Sequence, residues 1–228
     1  MPKTAKIKAV LFDLGNTLVY MHPEETLQKI LKTLGIVKSI DEVRQAMNKG
    51  NREFDIDEHC SLSAHEFYTE WNMVELKHLG ITDKVKARKL AEEVNFRWFE
   101  FAKVFVYPDV RRTLHRLKQM KLKLGIVTGG YEEDVEQIVS KAGLEGFFDV
   151  HVGVNTTGKR KPHRSAFKHA LKQLGTKSQE AVFVGDQLEA DYLGAQKVGM
   201  KAILIQREGK PIAGVKTISS LKEIFDLL

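Results

Sequence analysis

Hydrophobic and polar positions change rhythm several times along the chain. Five short apolar runs stand out: "IKAVLF" (7–12), "LKLGIV" (122–127), "FDVHVGV" (148–154), "AVFVG" (181–185) and "KAILIQ" (201–206). Most are nearly continuous rather than alternating, the pattern of strands covered on both faces of a parallel sheet. Between the later runs the period becomes helical. "DVRRTLHRLKQM" puts Val110, Leu114 and Leu117 on one face, and "EEDVEQIVSKAG" ends on Gly143, a C-terminal cap. "PHRSAFKHALKQLG" is expected to open with Pro162 at the first helical position and to stop at Gly175. Strand and helix in turn predict an α/β protein with an open, doubly wound parallel sheet.

Residues 20–106 break that alternation. "EETLQKILKTLG" spaces Leu27, Ile30, Leu31 and Leu34 as a helix does. "SAHEFYTEWNMVELKHLG" opens on a capping-box pattern, Ser63 and Glu66. "TDKVKARKLAEEVNFRWFEF" carries Val85, Leu90, Val94, Trp98 and Phe101 as a helical stripe. No run here reads as a strand. The expected organisation is an α/β core from residues 1–19 and 107–228, with an all-helical insert over 20–106.

Composition narrows the class. With 228 residues, 43% hydrophobic and 29% charged, the chain can bury an ordinary core and is not disordered. Its one cysteine, Cys60, excludes an intrachain disulfide and fits a reducing compartment. No apolar run approaches the roughly 18 residues that span a membrane. The basic start "MPKTAKIKAVLFD" has too short an apolar part for a signal peptide, so a cytoplasmic protein is expected. The net charge of +6 is concentrated in "GKRKPHRSAFKHALKQ", which has no acid. That run lacks interleaved aromatics apart from Phe167, which fits the apolar face of the helix, so nucleic acid is not the expected partner.

Ligands of open α/β sheets bind outside the carboxyl ends of the strands. The first strand ends on Asp13, the second on Thr128, Gly129 and Gly130, and the fourth on "VGDQLEAD" with Asp186 and Asp191. Lys161 lies between the third and fourth strands, just before Pro162. Carboxylates gathered together repel unless a cation joins them, and a few hard oxygen ligands suit Mg²⁺, which shares its sites with phosphates. Gly129 and Gly130, ahead of a helix, can offer backbone N–H groups to an anion, with Thr128 adding a hydroxyl and Lys161 a positive charge. A metal, an anion cradle and an acid able to attack make a phosphoryl-transfer site for a small phosphorylated molecule. His59, Cys60 and His65 in the insert suggest metal ligands, but the histidines are spaced wrongly for one helix face.

In "FDLGNT", "IVTGG", "KRKP" and "VGDQLEADYLGA", in that order and at compatible spacing, the chain resembles the haloacid dehalogenase-like superfamily over essentially its whole length. The resemblance implies a Rossmann-like core with a helical cap that closes over the active site and selects substrates. It implies Asp13 as the nucleophile that forms an aspartyl-phosphate. It implies Asp13, Asp186, Asp191 and the backbone carbonyl of Gly15 as Mg²⁺ ligands. Thr128, Gly129, Asn16 and Lys161 would bind the substrate's phosphoryl group, Lys161 also offsetting the carboxylates.

One position departs from the pattern. Typical phosphatases of this family carry a second Asp two residues after the nucleophile, as general acid and then base; here that residue is Gly15. A phosphatase drawing its acid and base from elsewhere is the leading reading. Alternatives are other chemistry of the superfamily, a 2-haloacid dehalogenase or a phosphonatase, or a weakly catalytic phosphate-ligand-binding or regulatory protein.

Overall fold

The apolar runs become the strands of one parallel sheet. The computed structural model describes residues 6–228. Its strands are β1 (Ala9–Phe12), β2 (Val19–Met21), β3 (Val104–Val106), β4 (Lys123–Val127), β5 (Val150–Val152), β6 (Ala181–Gly185), β7 (Lys201–Ile205) and β8 (Thr217–Ile218). Its α-helices are α1 (Pro23–Thr33), α2 (Ile40–Glu53), α3 (Ile56–His59), α4 (Ala64–His78), α5 (Lys84–Phe101), α6 (Val110–Gln119), α7 (Glu132–Lys141), α8 (Val154–Thr157), α9 (Arg164–Gln173) and α10 (Gly194–Gln196). The chain divides into two compact units. One holds the described residues through Tyr20 together with Val104–Leu228, and the other holds Met21–Lys103.

In the first unit six parallel strands stand in the order β5-β4-β1-β6-β7-β8. Each face of the sheet buries its own layer. Val10, Phe12, Ile126 and Val184 pack with Leu114, Leu117 and Val135 on one side. Ala9, Leu11, Val127 and Phe183 pack with Phe167, Ala170 and Leu171 on the other. Burial on both faces is why β1 and β6 read as unbroken apolar runs. The second unit is helical around Leu27, Ile30, Leu31, Val43, Leu76, Ala91 and Val94. No helix among the described residues is long and apolar enough to cross a membrane.

Several details depart from the sequence reading. β2 and β3 form a separate two-stranded sheet, with Tyr20 stacked on Phe105 at 5.1 Å between ring centroids. Each strand has three residues and its partner lies far away in the chain, so no local pattern marks either. Helix α2 was also missed, although Ser39 and Glu42 form a complete capping box at its start. The box expected at Ser63 is only half formed. Ser63 accepts the Glu66 N–H at 3.3 Å, but the Glu66 carboxylate turns to Arg88 at 2.8 Å. Val85 is 68% exposed rather than part of the α5 stripe. It lies nine residues before Val94, about two and a half turns at 3.6 residues per turn, and so points the opposite way. Pro162 is not the first residue of a helix. α9 begins at Arg164 behind His163, whose ring accepts the Ser165 N–H.

Candidate active site

β4, β1 and β6 are neighbours in register, with Phe12 opposite Ile126 and Val184. Asp13, Thr128 and Asp186 therefore leave the same carboxyl edge of the sheet. The strand order runs outward from β1 in both directions, so this edge is also the point where the topology switches, where open sheets form their crevice.

Asp13 is buried, and its Oδ1 accepts from Lys161 Nζ at 2.5 Å. The same ammonium donates to Asp191 Oδ1 at 2.6 Å. Carboxylate oxygens of Asp13, Asp186 and Asp191 all lie within 4.8 Å of one another. Burial pushes the Asp13 carboxyl up to about 6, reinforced by Asp191 and opposed by Lys161. Asp186 is also raised, by burial and then by Asp191. Burial works against the Lys161 charge, but Asp13 and Asp191 outweigh it and hold the ammonium above its ordinary range.

Three carboxylates thus face one ammonium, which leaves two negative charges uncompensated when all are ionised. Asp186 Oδ1 is buried with no hydrogen-bond partner. A cluster of hard oxygens lacking two positive charges, with one orphaned oxygen, fits a divalent cation such as Mg²⁺. Asp13, Asp186 and Asp191 are the side chains that could hold it.

Local backbone geometry builds the cluster. After Gln187 the chain makes a π-helical stretch, Leu188–Leu193, in which Tyr192 N–H reaches back to Gln187 O at 3.2 Å. Such wide turns recur at functional sites. Here the turn brings Asp191 back so that its Oδ2 accepts the Gln187 N–H at 3.0 Å. Asn16 adopts φ 54°, and its side chain lies beside Asp186, where it opposes the upward push of burial on that carboxyl. Gly15 is exposed, its φ lies outside the left-handed region, and nothing lies within 4 Å of where its Cβ would be.

The neighbouring loop is half-buried. Thr128 Oγ1 accepts the Gly130 N–H at 3.3 Å, so the hydroxyl proton is left to donate. The Gly130 N–H is accordingly engaged, not offered as the sequence suggested. The first-turn N–H of Glu132 is taken by Asn155 Oδ1 at 3.0 Å. Of the consecutive Lys159, Arg160 and Lys161, only Lys161 is buried. Arg160 lies instead along Gly129.

Of the sequence-selected groups, Lys161 joins Asp13 and Asp191 directly, Asp186 lies within 4.8 Å of both acids with Asn16 beside it, and Thr128 and Gly129 occupy the adjacent strand end. Sequence reasoning missed Gly185, Gln187 and the separate course of Arg160. A glycine directly before the strand-end acid, in "VGD", is the one signal that could have flagged the first. Cys60 and His59 of the insert serve local structure: Cys60 Sγ meets Asp57 O at 3.2 Å and His59 Nδ1 meets Asp55 O at 2.7 Å.

Comparison with known proteins agrees with this architecture. A family model described as haloacid dehalogenase-like hydrolase matches residues 7–199. A glyceraldehyde 3-phosphate phosphatase of Methanopyrus kandleri is 31% identical over 88% of this chain and 84% of its own length. A ribulose-1,5-bisphosphate 5-phosphatase of Halopiger xanaduensis is 28% identical over 86% of this chain and 83% of its own. The crystal structure of a HAD phosphatase from Thermococcus onnurineus is similar with a TM-score of 0.67, at 28% identity and 97% coverage of both chains.

Proposed function

The chain belongs to the haloacid dehalogenase-like hydrolases, and on that footing we propose that it is a Mg²⁺-dependent phosphatase of a small phosphorylated molecule, acting through an aspartyl-phosphate on Asp13. The observation that carries this reading is the cluster of Asp13, Asp186 and Asp191 with its single ammonium and its orphaned Asp186 oxygen. These side chains and the Gly15 carbonyl would hold the ion, which when bound draws charge from the phosphoryl oxygens as a Lewis acid. Relatives named as phosphatases of phosphorylated sugars support the substrate class.

The chain's own groups then divide the work. An Asp13 oxygen attacks phosphorus, an Asp13–phosphate bond forms, and the bond from phosphorus to the ester oxygen breaks. Water later attacks the phosphoryl group, releasing phosphate and restoring the carboxylate. The Thr128 hydroxyl and the Gly129 N–H hold phosphoryl oxygens, and Asn16 keeps Asp186 in place. Lys161 keeps Asp13 and Asp191 together by offsetting their charge. With glycine at position 15, no carboxyl two residues after the nucleophile protonates the departing oxygen, and solvent supplies that proton. Esters with acidic leaving groups are therefore favoured.

The test is a screen for phosphate and halide release over phosphate esters and 2-haloacids, with Mg²⁺ and with chelator. Phosphate release that needs Mg²⁺ and vanishes in Asp13→Asn is the expected result. Full activity in chelator would overturn the metal dependence. Wild-type turnover by Asp13→Asn would overturn the covalent step, and halide release without metal would favour a dehalogenase.

A further inference from the structure

Four arginines among the described residues are half-buried: Arg88, Arg97, Arg160 and Arg207. Three have carboxylate partners. Arg88 pairs with Glu66 at 2.8 Å, Arg97 with Glu93 at 2.9 Å and Arg207 with Asp109 at 2.6 Å. Arg160 has none: among the described residues its guanidinium makes no ion pair and no hydrogen bond. None of its nitrogens is fully buried, so the guanidinium reaches solvent with no partner in the chain and can meet a group from outside it.

Its location says what kind. A Cβ built on Gly129 would lie 4.0 Å from Arg160 Nη2, so the guanidinium runs along the loop that follows β4. Lys161, the next residue, turns the other way into Asp13 and Asp191, and both of these claim its charge. Arg160 reaches none of the carboxylates in the cluster, so its charge remains available. Its backbone is held on both sides: Lys159 O accepts from Thr157 Oγ1 at 3.0 Å, and Arg160 O accepts the His163 N–H at 2.9 Å. A planar fork on a fixed backbone beside an anion-binding loop is suited to bidentate recognition of a carboxylate or phosphate.

We infer that Arg160 is a specificity-determining residue that holds a second anionic group of the substrate, beyond the phosphoryl group that is transferred. The inference rests on the phosphatase reading above. The transferred group must meet Asp13, and the cation that touches Asp13 is Lys161, whereas Arg160 lies off the cluster along Gly129. A phosphate ester that also carries a carboxylate or a second phosphate engages both positions. A phosphate monoester without one leaves Arg160 unpaired.

The experiment compares phenyl phosphate with carboxyphenyl phosphate in wild type, Arg160→Ala and Arg160→Lys. A charge-assisted hydrogen bond of about 1.5–3 kcal/mol corresponds to roughly 10- to 100-fold. The expected result is a wild-type preference for the carboxylated ester, carried in KM. In Arg160→Ala that preference falls by roughly the same factor, and Arg160→Lys recovers part of it. Equal rises in KM for both esters would overturn the inference, since the guanidinium would then hold the transferred phosphoryl group itself. An unchanged ratio would overturn it as well. Dissociation constants for the matching phenyl- and carboxyphenylphosphonates report the same ratio without turnover. Should wild type release no phosphate from either ester, the phosphatase reading fails while the phosphonate ratio still decides the role of Arg160.

Discussion

The Asp191 carboxylate fills the space where a side chain on Gly185 would begin. A Cβ built there would fall inside that carboxylate, too close for any real contact. Gly185 is the last residue of β6 and Asp191 sits in the π-helical stretch that follows, so the turn closes only because position 185 has no side chain.

Gly185→Ala should therefore displace Asp191 from Lys161 and from the Gln187 N–H while leaving the two faces of the sheet packed. Loss of groups that orient metal ligands costs roughly 10–100-fold in metal affinity or activity. The expected outcome is a Mg²⁺ requirement shifted upward by about that factor, with an unchanged circular dichroism spectrum. A wild-type Mg²⁺ titration in this variant would show that the Asp191 position does not matter to the metal.

Gly15 offers the opposite case. Nothing crowds a side chain there and its φ is not left-handed, so Asp can be introduced without backbone strain. Gly15→Asp should supply the missing proton donor and speed alkyl phosphate hydrolysis toward the lower part of the roughly 10²–10⁴-fold range of general acid catalysis, helping aryl phosphates less. The measurement is kcat/KM against leaving-group pKa for both proteins. A steep wild-type dependence that flattens in Gly15→Asp is expected. A dependence already flat in wild type, with chemistry rate-limiting, would mean that another residue donates the proton.

In the helical unit, Glu75 is a buried carboxyl whose Oε1 accepts from Trp71 Nε1 at 3.0 Å. Burial pushes it from 4.5 up to about 7, opposed by that hydrogen bond. The sign follows directly. Between these values the folded chain holds a proton that the unfolded chain has lost, so stability falls as pH rises from about 4.5 through about 7. Glu75→Gln keeps the acceptor and removes the charge. It should stabilise the protein at pH 8 by on the order of 2 kcal/mol, with the gain shrinking toward zero near pH 4.5. Urea unfolding followed by tryptophan fluorescence reads this unit, because Trp71 and Trp98 are the only tryptophans and both belong to it. An equal gain at both pH values would mean that Glu75 is not titrating in this window.

The acids at strand ends were legible because local pattern carries them. A run such as "AVLF" must be buried on both sides, and an acid immediately after it must sit at the edge of the sheet. The same logic reached Thr128 and Asp186. Helices α1, α6 and α7 showed themselves through the period of their apolar faces. Asp191 was reached as the second acid of the strand-end segment "VGDQLEAD" and Lys161 as the basic residue just before Pro162, although no periodicity marks a π-helical stretch or tells which of three consecutive basic residues turns inward.

What the chain determined by itself was therefore the alternation of strands and helices, the helical insert and the set of candidate groups. These depend on interactions between residues near in sequence and on which faces need to be buried. Only the tertiary structure decided that Lys161 spans Asp13 and Asp191 while Arg160 turns along Gly129. Only it decided that β2 finds β3, and that Gly185 must lack a side chain for Asp191's sake. Each of these is set by contacts between segments brought together by the sheet order or by an irregular turn. A distance across space, and the charge left unpaired at that distance, has no signature in the spacing of residues along a chain.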